Sequence, residues 1–600
     1  MTTLAGRTAE IRTGTRGEFP LLGAILPALA GAALLSSPRA RAVWGAGEFY
    51  DSDDAMRAAQ VRDLIAGQSW FDMTAPRLDP PDGLFMHWSR VVDAPLAGLE
   101  LAFRVFLAPE MAERATRLVF PFLCLALLFA LAAFVARVLA DRSARVVAVW
   151  LVFLSAPMLM QFSPGRIDHH APQIVLLMAT FGLVALGLDA ERPSALAAAA
   201  APLALSLSIS LENLPFFVVL LPAPAVLFLF EGEAASRRLR SFALGLLLFA
   251  PLAFAATVAP SRYGLSACDA YSAVHIRAIL VGALGLAALA AFAPRLDTLS
   301  RRIVGLGLVG AAALGAFVAS APQCLGDPLV GLDPLLRDLW LAHVTEAKPL
   351  KAFLTDTTLV VSTAAPALLG LLAALVLAWR EKGVARGRWA LLAAAILVGF
   401  CAALWQIRVF SSVMPLAMMG LAGAAAAISA RLAGVTPLLR GLAVGLFCLC
   451  VSPMGLALAL RSEGGAAPEE TRRACLEASA FSSLAALPPA RIVAPIDMGA
   501  HILAFTPHSV YAAPYHRDNR GNRLAVEVFL AEPAAAERLL RAAGAELVLW
   551  CSGGETGNAL VERAPDGLAA ALSRGERFPF LEKIPLEHSP FHVFALRPAQ

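Results

Sequence analysis

Carboxylates and imidazoles gather at a few points in a chain that is otherwise strongly apolar. The first is Tyr50-Asp51-Ser52-Asp53-Asp54-Ala55-Met56-Arg57. Carboxylates this close repel one another unless cations stand nearby. The stretch reads as a metal ligand or general base, or equally as a solvated acidic helix start. The second is Ser163-Pro164-Gly165-Arg166-Ile167-Asp168-His169-His170, a polar island between apolar runs that end near Met160 and resume near Ile174. A carboxylate beside imidazoles can share a divalent metal, and oxygen donors suit Mg²⁺ or Mn²⁺; the same pair can also make only a local hydrogen bond. Ionisable groups so close to hydrocarbon are costly, which points to a site at a membrane surface. The third is His343-Val344-Thr345-Glu346-Ala347-Lys348-Pro349, where Glu346 by itself is an ordinary loop carboxylate. In the fourth, Trp405-Gln406-Ile407-Arg408, the Arg could clamp a phosphate or snorkel to the interface. The fifth is Ala494-Pro495-Ile496-Asp497-Met498-Gly499-Ala500-His501, followed by Thr506-Pro507-His508 and Pro514-Tyr515-His516-Arg517: an ordered surface, or a loop capping the tail.

The elements that must position these groups follow from composition. The chain has 600 residues, 58% hydrophobic and 16% charged, and a mean hydropathy of +0.69. Soluble domains carry about 25% charged residues, so this is a polytopic membrane protein with a soluble portion. The formal charge of +4 is small for the length and does not point to nucleic acid. Basic residues are nearly all Arg, as in a GC-rich bacterial genome. Runs of the ~17–25 apolar residues that cross a bilayer recur about thirteen times between 20–37 and 437–460. The pair 195–210 and 213–230 is separated only by Ser210-Leu211-Glu212-Asn213.

The connections alternate. One set is short and Arg-rich (Arg137/Arg142/Arg145, Arg237/Arg238/Arg240, Arg295/Arg301/Arg302, Arg380/Lys382/Arg386/Arg388, Arg431/Arg440) and is expected in the cytoplasm with the N-terminus. The N-terminal stretch Arg7, Arg12, Arg16 and Leu21 to Leu35 reads as a retained first span. The other set, 38–115, 161–171, 259–275, 322–356 and 461–600, holds all the polar motifs and is expected outside. The implied organisation is an α-helical polytopic membrane domain, 1–464, and a small periplasmic α/β domain, 465–600. Within 38–115, Ala55 to Ala66 reads as an amphipathic helix, Leu78 to Trp88 as loop, and Val91 to Leu107 as an apolar segment at the interface or against the bundle. In 322–356, turn signals precede a helix through Trp340 and His343. In the tail, Arg491 to Pro495 and Leu547 to Trp550 read as strands, and Pro533 to Ala543 and Gly567 to Leu572 as helices. Of eight cysteines none forms CxxC. Cys448 and Cys450 read as packing, and spacing leaves a Cys268–Cys324 disulfide open.

The order of these pieces resembles the catalytic subunit of oligosaccharyltransferase and, more broadly, the GT-C glycosyltransferases of membranes. The resemblance implies the family's catalytic Asp at Asp53, with Asp51 and Asp54 as rivals, and the second loop's metal-binding Asp at Asp168. His170 stands where the family has another acid. Glu346 takes a metal-linked, acceptor-side role, and Arg408 the contact to the lipid phosphate. Asp497 and Gly499 remain from the acceptor-reading Trp-Trp-Asp-Tyr-Gly motif, but both Trp are gone. A divalent metal (Mn or Mg) would be held by Asp53, Asp168, His170 and Glu346, and Glu212 would line the same cavity. The implied enzyme is a multi-pass transferase of the bacterial inner membrane. It moves a sugar or oligosaccharide from a polyprenyl-phosphate or -diphosphate donor to a polypeptide, glycan or lipid acceptor on the outer face. Two alternatives stand beside it. One is a GT-C enzyme adding a single sugar to lipid or surface polysaccharide. The other is a non-enzymatic transporter or assembly protein, for which ionisable groups near the midplane would be expected instead.

Overall fold

In hydrocarbon every backbone N–H and C=O must bond within its own segment, so the apolar runs become helices. The structure is a computed structural model and describes residues 21–598 apart from 141, 328, 330, 461–473, 553 and 554. The N-terminal Arg7, Arg12 and Arg16, and the expected domain boundary at 464/465, lie outside the described residues. Among the described residues 8 helices are long and apolar enough to cross a membrane, or 11 if three bent pairs each count as one span. The apolar stretch Leu214–Thr257 runs for 44 residues, more than twice the ~20 a bilayer needs. It is broken at Gly232, whose φ of 62° and ψ of −131° are not helical, so it makes two passes. Pro193–Ile209, 17 residues long, packs between His170–Gly187 and Ser236–Thr257. With that turn and this shorter helix included, the count reaches the thirteen expected.

Small residues let the helices approach closely, as in membrane bundles generally. A Cβ on Gly420 would lie 2.2 Å from the carbonyl oxygen of Gly370. Thr357–Arg380 and Phe410–Arg431 therefore meet backbone to backbone. This crossing fixes the turn at Ile407, whose N–H donates to the carbonyl of Lys348 at 3.0 Å, and so brings Arg408 beside the segment that carries Glu346.

The two sets of connections sort to opposite ends. At one end Arg388 donates to the carbonyls of Ala185 (2.9 Å) and Val138 (3.1 Å), and Arg238 to that of Leu188 (2.7 Å). These cations sit on helix C-termini, where the dipole favours them. At the other end the long connections and the tail pack on one another.

In the first long connection, Ser52–Ile65 is a helix whose start is fixed by Asp51. The Asp51 carboxylate accepts the N–H groups of Asp53 and Asp54, and the Asp54 carboxylate accepts that of Asp51, a reciprocal cap. The apolar segment expected at 91–107 is a helix, Arg90–Phe103, but its inner face is charged. Asp93 is fully buried between Arg57 (2.6 Å) and Arg90 (2.9 Å). The thin hairpin β1 (Thr74–Ala75) and β2 (Leu84–Phe85) follows the first helix.

The tail is α/β. Its strands are β3 (Arg491–Val493), β4 (Ser509–Val510), β5 (Leu547–Trp550), β6 (Leu581–Ile584) and β7 (His592–Leu596), in the order β4-β3-β5-β7-β6. β3 is parallel to β4 and β5, whereas β7 is antiparallel to β5 and β6. The expected strands at 491 and 547 and the helix Pro533–Ala543 are present. Short β4, β6 and β7 and the helix Asn519–Leu530 are additions. The sheet does not stand apart from the bundle's end. Leu78 bridges to Val510 at its edge, Arg77 donates to the carbonyls of Leu503, Thr506 and His508, and one apolar core joins Met56, Val61 and Trp88 to Ile492, Leu503 and Val593. Leu336 and Trp340 of the 322–356 segment enter the tail's other core.

Two disulfides tie this end together, Cys268–Cys324 and Cys475–Cys551. Cys448 is buried as expected, but Cys450 is exposed on the apolar outer surface. A maleimide mass tag on protein unfolded without reductant should add to the four free cysteines, Cys124, Cys401, Cys448 and Cys450, and after reduction to all eight. Tagging of all eight without reductant would contradict both bridges.

Candidate active site

The start of the Ser52–Ile65 helix and the loop before His170 are pinned together by one side chain. Asp54, fully buried, accepts the backbone N–H groups of Ile167 (2.6 Å) and Asp168 (3.0 Å) on Oδ1, and that of Asp51 (3.3 Å) on Oδ2. The loop turns at Gly165, whose φ of +94° is the left-handed region and where a Cβ would come 3.1 Å from Val43. That turn sends Arg166 into the carboxylates. Its guanidinium pairs with Asp51 and with Asp168 Oδ2 (2.5 Å), lies 3.8 Å from Asp54, and stacks on Tyr50. Against the upward push of burial, Arg166 and the amides of the cap hold the Asp51 carboxyl down to about 2.

A second set of contacts brings in two more segments. His169 Nε2 and His170 Nδ1 lie 3.3 and 3.1 Å from the two oxygens of Glu212. His170 Nε2 is 3.9 Å from both Asp168 Oδ2 and Glu346 Oε2. Arg408 Nη1 closes the group, 3.2 Å from Glu212 and 3.6 Å from Glu346. Burial would raise the Glu212 carboxyl, but His170, His169 and Arg408 hold it well below its ordinary value. Asp53 faces the same space from its helix. Burial first, then the charges of Asp51, Glu346 and Asp168, push its carboxyl well above the usual range, and no Arg or Lys among the described residues ion-pairs with it. Asp168 and His170 form the floor, with side chains 1% and 9% exposed, and Arg408 and Glu346 the mouth, at 34% and 48%.

Asp51, Asp53, Asp54, Asp168, His170, Glu346 and Arg408 thus converge, and Glu212 joins them. Asp54, a rival for the catalytic position, has its oxygens committed to backbone amides. Asp497 and Gly499 are not part of this group. Asp497 lines a small pocket beside the Cys475–Cys551 disulfide, and Gly499 packs on the Ala512 carbonyl, which a Cβ would meet at 1.9 Å. The tail approaches Asp53 through Tyr515 instead, whose hydroxyl donates to the Ser52 carbonyl (3.1 Å). Arg166 was missed by the sequence reading as a member of the site. Nothing in the sequence sets it apart from other loop arginines, because its partners Asp51 and Asp54 lie more than a hundred residues away.

Among the described residues two triads bring a ligand atom from each member within 4.8 Å of one another: Asp51/Asp54/Asp168 and His169/His170/Glu212. The first is already neutralised by Arg166 and the backbone amides. Within this cluster Asp53 is the carboxylate without an ion pair, and Asp168, Glu346 and His170 border the same space; together they make a hard-oxygen set with one imidazole that fits a divalent ion.

These roles separate by stability. Asp54→Ala leaves buried amides without acceptors, at ~1–3 kcal/mol for each, and should lower the melting temperature of the detergent-solubilised protein. Asp53→Asn relieves repulsion and should raise it in EDTA. Equal losses for both would contradict the assignment.

No protein-family model matches the sequence, and a search of curated proteins finds no relative. The fold does match solved structures. The oligosaccharyltransferase AglB of the archaeon Archaeoglobus fulgidus, in complex with an inhibitory peptide and a dolichol-phosphate, superposes with a TM-score of 0.62 at 16% identity, covering 91% of this chain and 72% of that one. The Archaeoglobus fulgidus oligosaccharyltransferase tethered to an acceptor peptide containing the NVT sequon gives 0.61 at 17% identity over 96% and 74%. Its complex with Zn and sulfate gives 0.61 at 14% over 96% and 73%. Identity that low speaks to architecture alone: the chain has the membrane fold of these archaeal oligosaccharyltransferase structures.

Proposed function

We propose that the protein is a glycosyltransferase of the bacterial inner membrane. It moves a sugar or oligosaccharide from a polyprenyl-phosphate or -diphosphate donor to an acceptor on the outer face. The observation that carries this is the meeting of Asp53, Asp168, Glu346 and Arg408, from four distant segments, at one end of a GT-C bundle. The neighbouring fold binds a dolichol-phosphate, which agrees with a lipid-linked donor. The orientation rests on both disulfides lying at the site's end, since they persist in oxidising compartments. It rests also on the Arg-rich turns lying at the other. The N-terminus is then cytoplasmic and the tail periplasmic.

In the reaction the bond between the sugar's anomeric carbon and the donor phosphate breaks, and the acceptor's nucleophile bonds to that carbon. Arg408 stands at the mouth to meet the departing phosphate. Asp53, whose carboxyl is the more basic for its surroundings, takes the acceptor's proton. Glu212 and Glu346 fix Arg408 by pairing with it, and Arg166 holds Asp168 and Asp51 in place. Asp53, Asp168, Glu346 and His170 would hold a divalent ion, Mn or Mg, which when bound would neutralise charge on the leaving group as a Lewis acid.

A glycan or lipid acceptor is favoured over a polypeptide by one observation. The residue left from the peptide-reading motif, Asp497, lines a different pocket from the cluster.

In membranes supplied with a lipid-linked sugar, Asp53→Ala and Asp168→Ala should each lower transfer about a hundredfold or more, and EDTA should lower it until Mn²⁺ or Mg²⁺ is restored. Undiminished transfer by both variants would contradict the proposal.

A further inference from the structure

A second pocket lies beside the cluster but is lined by none of its carboxylates. Its walls come from residues 71–89, from the turn between Thr257 and Ser272, and from Arg517 of the tail. Trp88 is the wall shared with the active site: it lines the pocket, and its ring centroid lies 6.0 Å from that of His169. Phe71, Phe85 and Tyr271 supply aromatic surface.

The polar groups of this pocket divide sharply. Its hydroxyls are used internally: Ser89 donates to the Ser208 carbonyl (2.5 Å), Tyr271 to Ala250 (3.1 Å) and Thr257 to Ala253 (2.8 Å). The nearby carboxylate, Asp269, is used as well, gripped by both arms of Arg517 at 2.7 and 2.9 Å and by His516 at 2.7 Å. What remains is cationic or donating. Arg262 stacks on Phe85, 3.5 Å from the ring centroid, and among the described residues no carboxylate pairs with it. The Trp88 indole N–H has no partner although Trp88 is 4% exposed; His87 Nδ1, also buried without a partner, donates or accepts according to its tautomer. A buried donor left unpaired costs about 1–3 kcal/mol, and a cation beside such a donor is complementary to an anion.

The level of the pocket narrows the anion. The turn joins apolar helices that end at Thr257 and begin at Ala273. Tyr263 and Leu265 beside it are exposed, as side chains at a membrane–water boundary are. We propose that this pocket binds a phosphoryl group at the level of the lipid headgroups, on Arg262 and the Trp88 indole N–H, separately from the donor phosphate assigned to Arg408. The aromatic walls take the apolar or sugar part that carries it. The inference does not require the transfer reaction.

The test is binding of phosphatidic acid to the full-length protein in detergent, followed by native mass spectrometry, with diacylglycerol as the phosphate-free probe and glycerol 3-phosphate as the soluble one. Wild-type protein should retain phosphatidic acid and not diacylglycerol. Arg262→Gln should weaken retention about tenfold or more, Trp88→Phe should weaken it while keeping the ring, and Arg262→Lys should keep most of it. Competition by glycerol 3-phosphate, lost in Arg262→Gln, would also support the site and give its ligand a soluble source. Asp53→Asn should bind as the wild type does, which separates this pocket from the transfer chemistry. Equal retention by wild type, Arg262→Gln and Trp88→Phe, or equal retention of diacylglycerol, would overturn the proposal.

Discussion

Carboxylates gather in a half-buried site only where something holds them against their own repulsion. Here the restraint is the Arg166 guanidinium, set between Asp51, Asp54 and Asp168, together with Asp54, whose oxygens pin the backbone of residues 167 and 168 to the start of the Ser52–Ile65 helix. Removing an internal counter-charge from a buried group costs about 3–5 kcal/mol, so this pairing dictates where the first helix can start and where the loop before His170 can run. Arg408 does the same for Glu212 and Glu346 on the opposite side. Asp53 lies between the two neutralised pairs with no cation of its own. That asymmetry makes it the reactive carboxylate in this account.

The bundle and the soluble end serve that arrangement. The Gly370–Gly420 approach fixes the turn that presents Arg408, and the tail's sheet, by sharing a core with residues 49–97, braces the helix that presents Asp53. Buried Arg57, Asp93 and Arg90 stiffen the same layer from below. Arg57 in turn stacks on Trp88, 4.1 Å from the ring centroid, so the wall between the active site and the neighbouring pocket is itself held by a charged network.

Much of this was legible in the sequence. Apolar runs of bilayer length and the alternation of Arg-rich and motif-bearing connections gave the architecture, because hydrophobic length and charge placement act locally along the chain; the family resemblance singled out Asp53, Asp168, Glu346 and Arg408, which the fold brings together. What was not legible depends on contacts across distance. Arg166 reads in sequence as one more loop Arg, and only the fold shows that it faces carboxylates 115 residues away. Asp497 matched a motif in type and spacing but sits by a disulfide. The segment after Val91 reads as apolar, at the interface or against the bundle, and its charged inner face is not legible there because Asp93 meets Arg57 from a different helix as well as Arg90 from its own. Cys475 and Cys551 are 76 residues apart, a pairing that spacing does not indicate.

The central claim is that residues far apart in the chain share one charged pocket, and the Arg166–Asp51 pair tests it most directly. In a double-mutant cycle on thermal stability with Arg166→Met and Asp51→Asn, the account predicts a coupling energy of at least about 1 kcal/mol, as for groups in one ion-pair network. Additive effects within about 0.3–0.5 kcal/mol, as for independent sites, would contradict it.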